Sequence, residues 1–268
     1  MDMQVKSGHA ALAPAQARQL FRDEEWSRPT RGFSMGYGQC GFVALPASYA
    51  YDFLVFCQRN PKILSVVEIV DTGKWTPVQS APGADLRTDI PRYRVFEDGR
   101  LVDEPTNVVD RWRDDLVCVL LGCSLTFDRV FIANGLAYRQ YEDASGPTIY
   151  RTNVDCVGAG PFASKMLVSM RPMMPQQVAR AVQVTGRFPN CHGAPIHIGS
   201  PEGLGIADLT SPDVGGRIAI REGEVPVFWA CVATVWEMAA NVKAPIMITH
   251  APGCMFVTDM PEEHFSLL

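Results

Sequence analysis

A cysteine and a serine at a predicted strand-to-helix turn are the first residues of this chain that could do chemistry. Cys123 and Ser124 follow Gly122 at the end of an apolar run. A helix N-terminus exposes unpaired N–H groups and the positive end of the helix dipole, so it attracts anions and lowers the pKa of a thiol. The position predicts a nucleophilic or acid–base thiol; the alternative is a buried cysteine followed by a capping serine.

Three histidines are candidates for proton transfer. His192 and His197 lie five residues apart, and Gly193 and Pro195 between them exclude a helix. In a loop the two imidazoles could converge as acid and base or as metal ligands; the alternative is one imidazole bonded to backbone and one exposed. His250 directly follows an apolar segment of strand length. Residues at such strand ends point into the ligand crevice of open α/β sheets.

Three arginines are candidates for binding a carboxylate. Arg87, Arg151 and Arg171 each lie in or beside a polar turn next to an apolar segment. A guanidinium binds a carboxylate through two parallel hydrogen bonds, so these positions suit recognition of a small acid. The alternative is a structural ion pair, as Arg87 could form with Asp85 or Asp89.

The elements that position these residues indicate a mixed α/β protein. The apolar run Asp115–Gly122, followed by the amphipathic stretch Leu125–Asn134, predicts a strand, a tight turn and a helix, as in a parallel α/β unit. Two hairpins are predicted at Tyr93–Val102 and Arg217–Trp229, around an Asp-Gly and a Glu-Gly turn. Further helices are predicted at residues 14–25, 46–61 and 175–185, and further strands at 41–46, 64–70, 165–170 and 245–249.

From these elements we predict a mixed sheet with helices on both faces and a smaller two-layer subdomain of hairpins and helices. Residues 1–268 are expected to form one domain, with two intimate subdomains divided near residues 75–110 and 145–160. At 47% hydrophobic and 20% charged residues, the composition is that of a globular protein.

Charge and motifs exclude several function classes. A net charge of −5 disfavours a nucleic-acid partner and a polybasic membrane surface. No apolar run is long enough to span a bilayer, no secretory signal is visible, and eight cysteines lack a framework spacing. We therefore expect free thiols and a cytoplasmic location. The patterns GxGxxG, GxxxxGK[ST], HExxH and GxSxG do not occur, so no cofactor and no metal are expected.

Motifs spread in order over nearly the whole chain resemble one known family, the D-glutamate cyclase-like hydro-lyases. The shared motifs include Asp85-Leu-Arg-Thr-Asp-Ile-Pro-Arg-Tyr93, Gly122-Cys-Ser124, Tyr150-Arg-Thr-Asn153, Val168-Ser-Met-Arg-Pro172, His192-Gly-Ala-Pro-Ile-His197, Gly223-Glu-Val-Pro-Val-Phe-Trp-Ala-Cys231 and Thr249-His-Ala-Pro-Gly253.

The resemblance implies a cofactor-independent carbon–oxygen lyase acting on a small carboxylate. A vertebrate relative converts D-glutamate to 5-oxo-D-proline with loss of water, which needs a base for the amine, an acid or cation for the reacting carboxylate, and a clamp for the other carboxylate. The three histidines are candidate bases and acids, Cys123 and Ser124 could hold the developing oxyanion, and the three arginines could be the clamp. Asn153 and Glu224 lie in the matched motifs and are further substrate-binding candidates.

Elimination of water from a hydroxy acid would use the same groups, so the two reactions stay open. Two rival hypotheses come from other classes: a non-catalytic binder of a small carboxylated metabolite, and a cysteine-dependent hydrolase that uses Cys123 with a histidine. The sequence is compatible with a homo-oligomer and does not determine the oligomeric state.

Overall fold

Two antiparallel sheets and five α-helices build the described part of the chain, residues 8–136 and 147–267 of a computed structural model. The helices are α1 Pro14–Arg22, α2 Ala47–Arg59, α3 Asp128–Ala133, α4 Pro175–Gly186 and α5 Thr234–Val242. The strands are β1 Tyr37–Pro46, β2 Val66–Val70, β3 Tyr93–Glu97, β4 Arg100–Asp103, β5 Leu116–Gly122, β6 Thr148–Asp155, β7 Lys165–Met173, β8 His197–Ile198, β9 Val214–Gly215, β10 Val225–Ala230, β11 Met247–His250 and β12 Phe256–Pro261.

The first sheet is organised around β1. Its strand order is β2-β5-β1-β11-β3-β4, and β12 also pairs with β1, beside the end of β11. Because β1 has partners on both edges, it is buried from Gly38 to Pro46. The register places Cys40 opposite Gly122, so the Cys123-Ser124 turn leaves the sheet next to its central strand.

The second sheet has the order β8-β10-β7-β6-β9 and packs against the first. Val43 and Leu121 of the first sheet share a core cluster with Val168 and Phe228 of the second. A second cluster contains Trp229 of β10 together with Phe42 and Leu120. Each such buried side chain contributes about 1.5–3 kcal/mol to the free energy of unfolding, so the contact between the sheets is strongly stabilised.

The mixed class of helices and strands is confirmed, as are most of the predicted elements. The clearest success is the β3–β4 hairpin. Asp98 and Gly99 have positive φ angles of 49° and 80°, which a two-residue type I′ turn requires. An Asp-Gly pair between two apolar strands therefore predicted both the turn and the antiparallel pairing.

The parallel strand direction predicted for Asp115–Gly122 is wrong. β5 pairs antiparallel with both β1 and β2, and every other pairing between described strands is also antiparallel. The apolar run reflects an interior strand that is buried on both faces, a pattern shared by parallel strands and interior antiparallel ones. The predicted helix is also divided, into a 3-10 helix at Ser124–Phe127 followed by α3.

The predicted hairpin at Arg217–Trp229 is also wrong. β10 is a strand, but it pairs with β7 and β8, and residues 217–220 are not a strand. The backbone just before this segment bonds elsewhere: the Gly216 N–H donates to the Pro147 carbonyl and the Thr148 hydroxyl donates to the Gly216 carbonyl. The segment is therefore held at the start of β6.

Two general features concern the environment of the chain. Within the described residues, no helix combines the length and the apolar character needed to cross a membrane. All eight cysteines are free thiols. The division into two subdomains stays a prediction.

Candidate active site

A close backbone approach brings two predicted motifs together. The Gly122 N–H donates to the Ser65 carbonyl, and a Cβ added at Gly122 would lie 1.6 Å from the Asn190 carbonyl oxygen. Only glycine permits this contact. The segment Pro189–Cys191 therefore lies directly against the Cys123-Ser124 turn, and His192 follows it.

Arg171 of β7 is the central charge of this region. Its side chain is only 4% exposed, and its Nη2 donates to Ser124 Oγ at 3.2 Å. Its guanidinium carbon lies 4.8 Å from the Trp229 ring centroid and 5.2 and 5.4 Å from those of Phe127 and Phe131. Aromatic faces stabilise a cation, so the rings hold this guanidinium in a defined place away from bulk water.

Asp128, at the start of α3, lies between two arginines. Its side chain is 1% exposed, and its two carboxylate oxygens lie 3.9 Å from Arg171 Nη2 and 3.9 Å from Arg31 Nε. A buried carboxylate is tolerated when positive charges compensate it. Neither Asp128 nor Arg31 was predicted. The sequence did contain a signal that Asp128 is buried. Asp128 lies three residues before the apolar Phe131, so both residues fall on the same face of the helix.

His192 contributes a buried, neutral imidazole. It has a positive φ of 75° and is 1% exposed. Its Nδ1 lies 3.2 Å from the Lys62 carbonyl oxygen, which can only accept, so Nδ1 carries the proton and Nε2 carries a lone pair. Burial, opposed by the hydrogen bond to the Lys62 carbonyl and assisted by the charges of Arg171 and Lys62, lowers the His192 pKa to about 4. Nε2 has no hydrogen-bond partner among the described residues.

Together, Arg31, Ser124, Asp128, Arg171 and His192 form what we call the interior cluster. It contains two guanidiniums and one carboxylate beside a neutral imidazole. Such a set can attract an anion and accept a proton. An imidazole at position 192 and a guanidinium at position 171 indicated this chemistry in the sequence. The sequence did not show that His192 and Arg171 lie in the same region.

The predicted low-pKa thiol at Cys123 is wrong. Burial raises the Cys123 pKa well above its ordinary value, and Cys231, Cys191 and Asp128 add to the rise. The Leu125 backbone N–H lowers the pKa by less than burial raises it. The helix start at this point is a short 3-10 turn, which offers a weaker dipole than a long α-helix. Cys123 therefore remains a protonated thiol at neutral pH.

His250 and His197 are held by other segments. His250 Nδ1 lies 3.1 Å from the Phe42 nitrogen and 3.3 Å from the Phe42 carbonyl oxygen. Its ring packs near Trp236, and burial lowers the His250 pKa to about 4. His197 Nε2 bonds to the Ser200 carbonyl at 2.6 Å, and its ring packs on Phe228. Within the described part of the chain, neither imidazole hydrogen-bonds to or stacks on a residue of the interior cluster. The convergence of His192 and His197 that the loop allowed is therefore not observed, and His250 lies in a third setting.

Arg151 and Asn153 line a different feature, an open groove of about 390 Å³ on the second sheet. We call it the surface groove. Arg151 is 54% exposed and its Nε lies 2.7 Å from a Glu237 carboxylate oxygen. The remaining residues that line the groove are Tyr150, Thr152, Gly205, Ile206, Ala207, Asp208, Ser211 and Asp213.

The last two predicted binding residues make local structural contacts. Arg87 pairs with Asp85 through two hydrogen bonds of 2.7 and 2.9 Å and stacks on Trp75, as its alternative interpretation stated. Glu224 accepts from the Arg221 N–H at 2.7 Å within a turn. As for metals, residues 8–136 and 147–267 contain no group of three or more His, Cys, Asp or Glu side chains suited to an ion.

Comparison with known proteins places the chain in a family. A D-glutamate cyclase family model matches residues 117–259. Proteins named "Putative hydro-lyase" are 50% identical in Rubrobacter xylanophilus, over 96% of this chain and 99% of the relative, and 49% identical in Geobacillus kaustophilus, over 97% and 98%. "Putative hydro-lyase YcsI" of Bacillus subtilis is 46% identical over 96% of this chain and all of the relative.

A solved structure of a nitrogen repressor-like protein from Methanococcus jannaschii covers 81% of this chain and 86% of its own, at 11% identity and a TM-score of 0.38. That similarity is too low to support an argument about fold or function. The sequence relatives, in contrast, are similar along almost their whole length. This chain belongs to the D-glutamate cyclase family.

Proposed function

We propose that this protein is a hydro-lyase that removes water from a small carboxylate, with His192 as the base and Arg171 as the carboxylate-binding group. The observation that carries the proposal is the His192 Nε2 lone pair, which is buried, has no hydrogen-bond partner among the described residues and lies within the electrostatic reach of Arg171. Family membership supports the reaction class, since the curated relatives are named as hydro-lyases.

The strained conformation of His192 supports a functional role. A non-glycine residue in the left-handed region costs on the order of 1–3 kcal/mol and persists where the surrounding structure holds it. The Lys62 carbonyl also fixes the tautomer, so that Nε2, the atom farther from the backbone, is the one that accepts a proton.

Substrate binding would raise the basicity of His192. In the free protein the positive charge of Arg171 contributes to the low His192 pKa of about 4. A bound carboxylate would offset that charge, so the imidazole would become a stronger base when the substrate is in place. The guanidinium of Arg171 supports binding of a carboxylate, and Ser124, 3.2 Å from Arg171 Nη2, provides a hydroxyl next to it.

Two reactions fit these groups. In the cyclisation of D-glutamate, His192 would take a proton from the amine, which attacks the side-chain carboxyl as water leaves. In elimination from a hydroxy acid, His192 would take the proton from carbon as the hydroxyl leaves. The family name makes D-glutamate the first substrate to test.

The test compares two histidine variants. His192→Gln should lower kcat on D-glutamate, or on an active 3-hydroxy acid, by about 10²–10⁴-fold, because the base is lost. His197→Gln is the control, since His197 belongs to another segment and should stay within a few-fold of wild type. Equal activity of His192→Gln and wild type, with matched melting temperatures, would refute the assignment of the base.

A carboxylate binder without turnover is the second candidate, because the guanidiniums of the interior cluster are groups that hold an anion with or without catalysis. A thermal-shift screen of small mono- and dicarboxylates separates the two functions. A ligand at 100 times its Kd adds about 2.7 kcal/mol of stability. Stabilisation of wild type by an acid that is never consumed, lost in Arg171→Met, favours the binder.

A further inference from the structure

Glu262 is a buried carboxyl group that the base and clamp described above do not use. It is the first residue of the 3-10 helix Glu262–Phe265, which follows β12 directly. Its side chain is 1% exposed. Arg129 Nη2 contacts its Oε1, whereas its Oε2 has no hydrogen-bond partner among the described residues. An ionised carboxylate in this environment would leave one oxygen desolvated and unpaired, which favours the protonated acid.

The position of Glu262 connects it to the interior cluster. The helix Glu262–Phe265 packs against the helices Ser124–Phe127 and Pro189–Cys191, and the latter immediately precedes His192. Its backbone is held on the other side, where the Glu262 N–H donates to the Gly36 carbonyl. The backbone of this helix therefore lies beside the turn that contains Ser124 and the segment that leads to His192, and the charge of Asp128, a member of the interior cluster, acts on the Glu262 carboxyl.

Charged groups around Glu262 act in opposite directions on its protonation. Burial is the largest cause of a raised Glu262 pKa, and the charges of Asp128 and Glu263 raise it further. Arg129 lowers it through a hydrogen bond and through its charge. The net result of these effects is a raised Glu262 pKa, so the protonated form of Glu262 persists to higher pH than that of an ordinary glutamate.

We propose that Glu262 is the general acid that delivers a proton to the oxygen leaving as water. This inference rests on the proposed function and adds the second proton-transfer group to it. Both candidate reactions remove one proton at one atom and add one proton to a departing oxygen, so a base alone is incomplete. A neutral His192 and a protonated Glu262 are the two starting states that such a reaction needs.

The step balances for elimination as follows. His192 Nε2 takes the proton from the carbon next to the carboxylate, the C–H electrons form the C=C bond, and the C–O bond breaks. The departing oxygen takes its pair of electrons and the proton of Glu262 and leaves as water. His192 is then protonated and Glu262 ionised, and exchange of one proton with solvent restores both. For cyclisation of D-glutamate that binds with a neutral amine and a protonated side-chain carboxyl, the nitrogen forms the C–N bond and loses one proton to His192, while the C–OH bond breaks and the departing hydroxyl takes the proton of Glu262 and leaves as water.

The experiment compares Glu262→Gln with Glu263→Gln. Glutamine keeps the shape of the acid but cannot donate its proton, so kcat for Glu262→Gln should fall about 10²–10⁴-fold with little change in KM. Glu263 is the matched control, because it is the adjacent residue, contacts the same Arg129 at 3.3 Å and is 67% exposed. Glu263→Gln should stay within a few-fold of wild type.

A substrate with a better leaving group separates catalysis from structure. On an analogue whose leaving group departs without a proton (chloride in place of the hydroxyl, or a p-nitrophenyl ester of the D-glutamate side chain), Glu262→Gln should regain nearly the wild-type rate. A loss that is equal on both substrates overturns the proposal, because it indicates a positioning effect. Glu262→Gln activity equal to wild type, while His192→Gln is inactive, overturns this proposal alone. Wild-type inactivity on every acid and analogue overturns the proposed function and this inference together.

Discussion

The interior cluster and the surface groove contain similar residue types in opposite environments. In the interior cluster, Arg171 is 4% exposed, and His192 Nε2 has no hydrogen-bond partner in residues 8–136 and 147–267. In the surface groove, Arg151 is 54% exposed and pairs with Glu237, while its backbone N–H donates to Asp213. Exposed ion pairs are screened by water and contribute little, whereas buried charges interact strongly and shift the pKa of their neighbours. Burial, rather than residue type, therefore distinguishes a candidate catalytic arginine from an ordinary surface arginine.

The largest expected contrast between the two regions is in stability. Arg171→Met should lower the free energy of unfolding by about 3–5 kcal/mol, because it leaves the buried Asp128 with a lost counter-charge. Arg151→Met removes a half-exposed pair and should cost about 1 kcal/mol or less. Urea unfolding of both variants measures the difference. Equal costs would show that the two environments differ less than their burial indicates.

A pH titration should reveal the second largest effect. The His192 pKa is lowered to about 4 in the folded protein from an ordinary value of 6.5, so the unfolded chain binds more protons between these values. Stability is therefore fully present above pH 6.5 and is lost as pH falls toward 4, by about 3 kcal/mol for this residue.

His250 should contribute a similar loss over the same range, because its pKa is also lowered to about 4. Urea midpoints measured from pH 7 to pH 4 should fall steeply in wild type and less steeply in His192→Gln and His250→Gln. Only His192→Gln should also lose turnover. Identical slopes for wild type and both variants would contradict the burial of these imidazoles in a neutral form.

The smallest effect is expected at Cys123. Because burial raises its pKa, Cys123→Ala should keep activity within about tenfold of wild type. Iodoacetamide should label Cys156, a half-buried thiol just after β6, before it labels Cys123 in the native protein. Mass spectrometry of a labelling time course gives the order. Rapid labelling of Cys123 with loss of activity would restore the cysteine-dependent hydrolase as a candidate.

Most of the fold was predictable because its elements depend on local patterns. The Asp98-Gly99 turn required positive φ angles that its residues supply, and the helix α2 ends at an Asn-Pro pair, as the chemistry of proline demands. The direction of β5 was not predictable. An apolar run reports burial on both faces, and a central antiparallel strand is buried in the same way as a parallel one.

The candidate site was predictable in residue types and not in grouping. The sequence by itself determined that Ser124, Arg171 and His192 lie at element ends or in strands with groups suited to acid–base and carboxylate chemistry. Only the tertiary structure decided that Arg171 hydrogen-bonds Ser124 and acts electrostatically on His192, while His250, Arg87 and Arg151 are held by other segments. Ser124 and Arg171 are 47 residues apart in the chain, and His192 depends on a carbonyl 130 residues away. The burial of these side chains, the tautomer of His192 and the charges around it all depend on residues that are distant in the chain. No local pattern in a single sequence indicates which distant residues become neighbours.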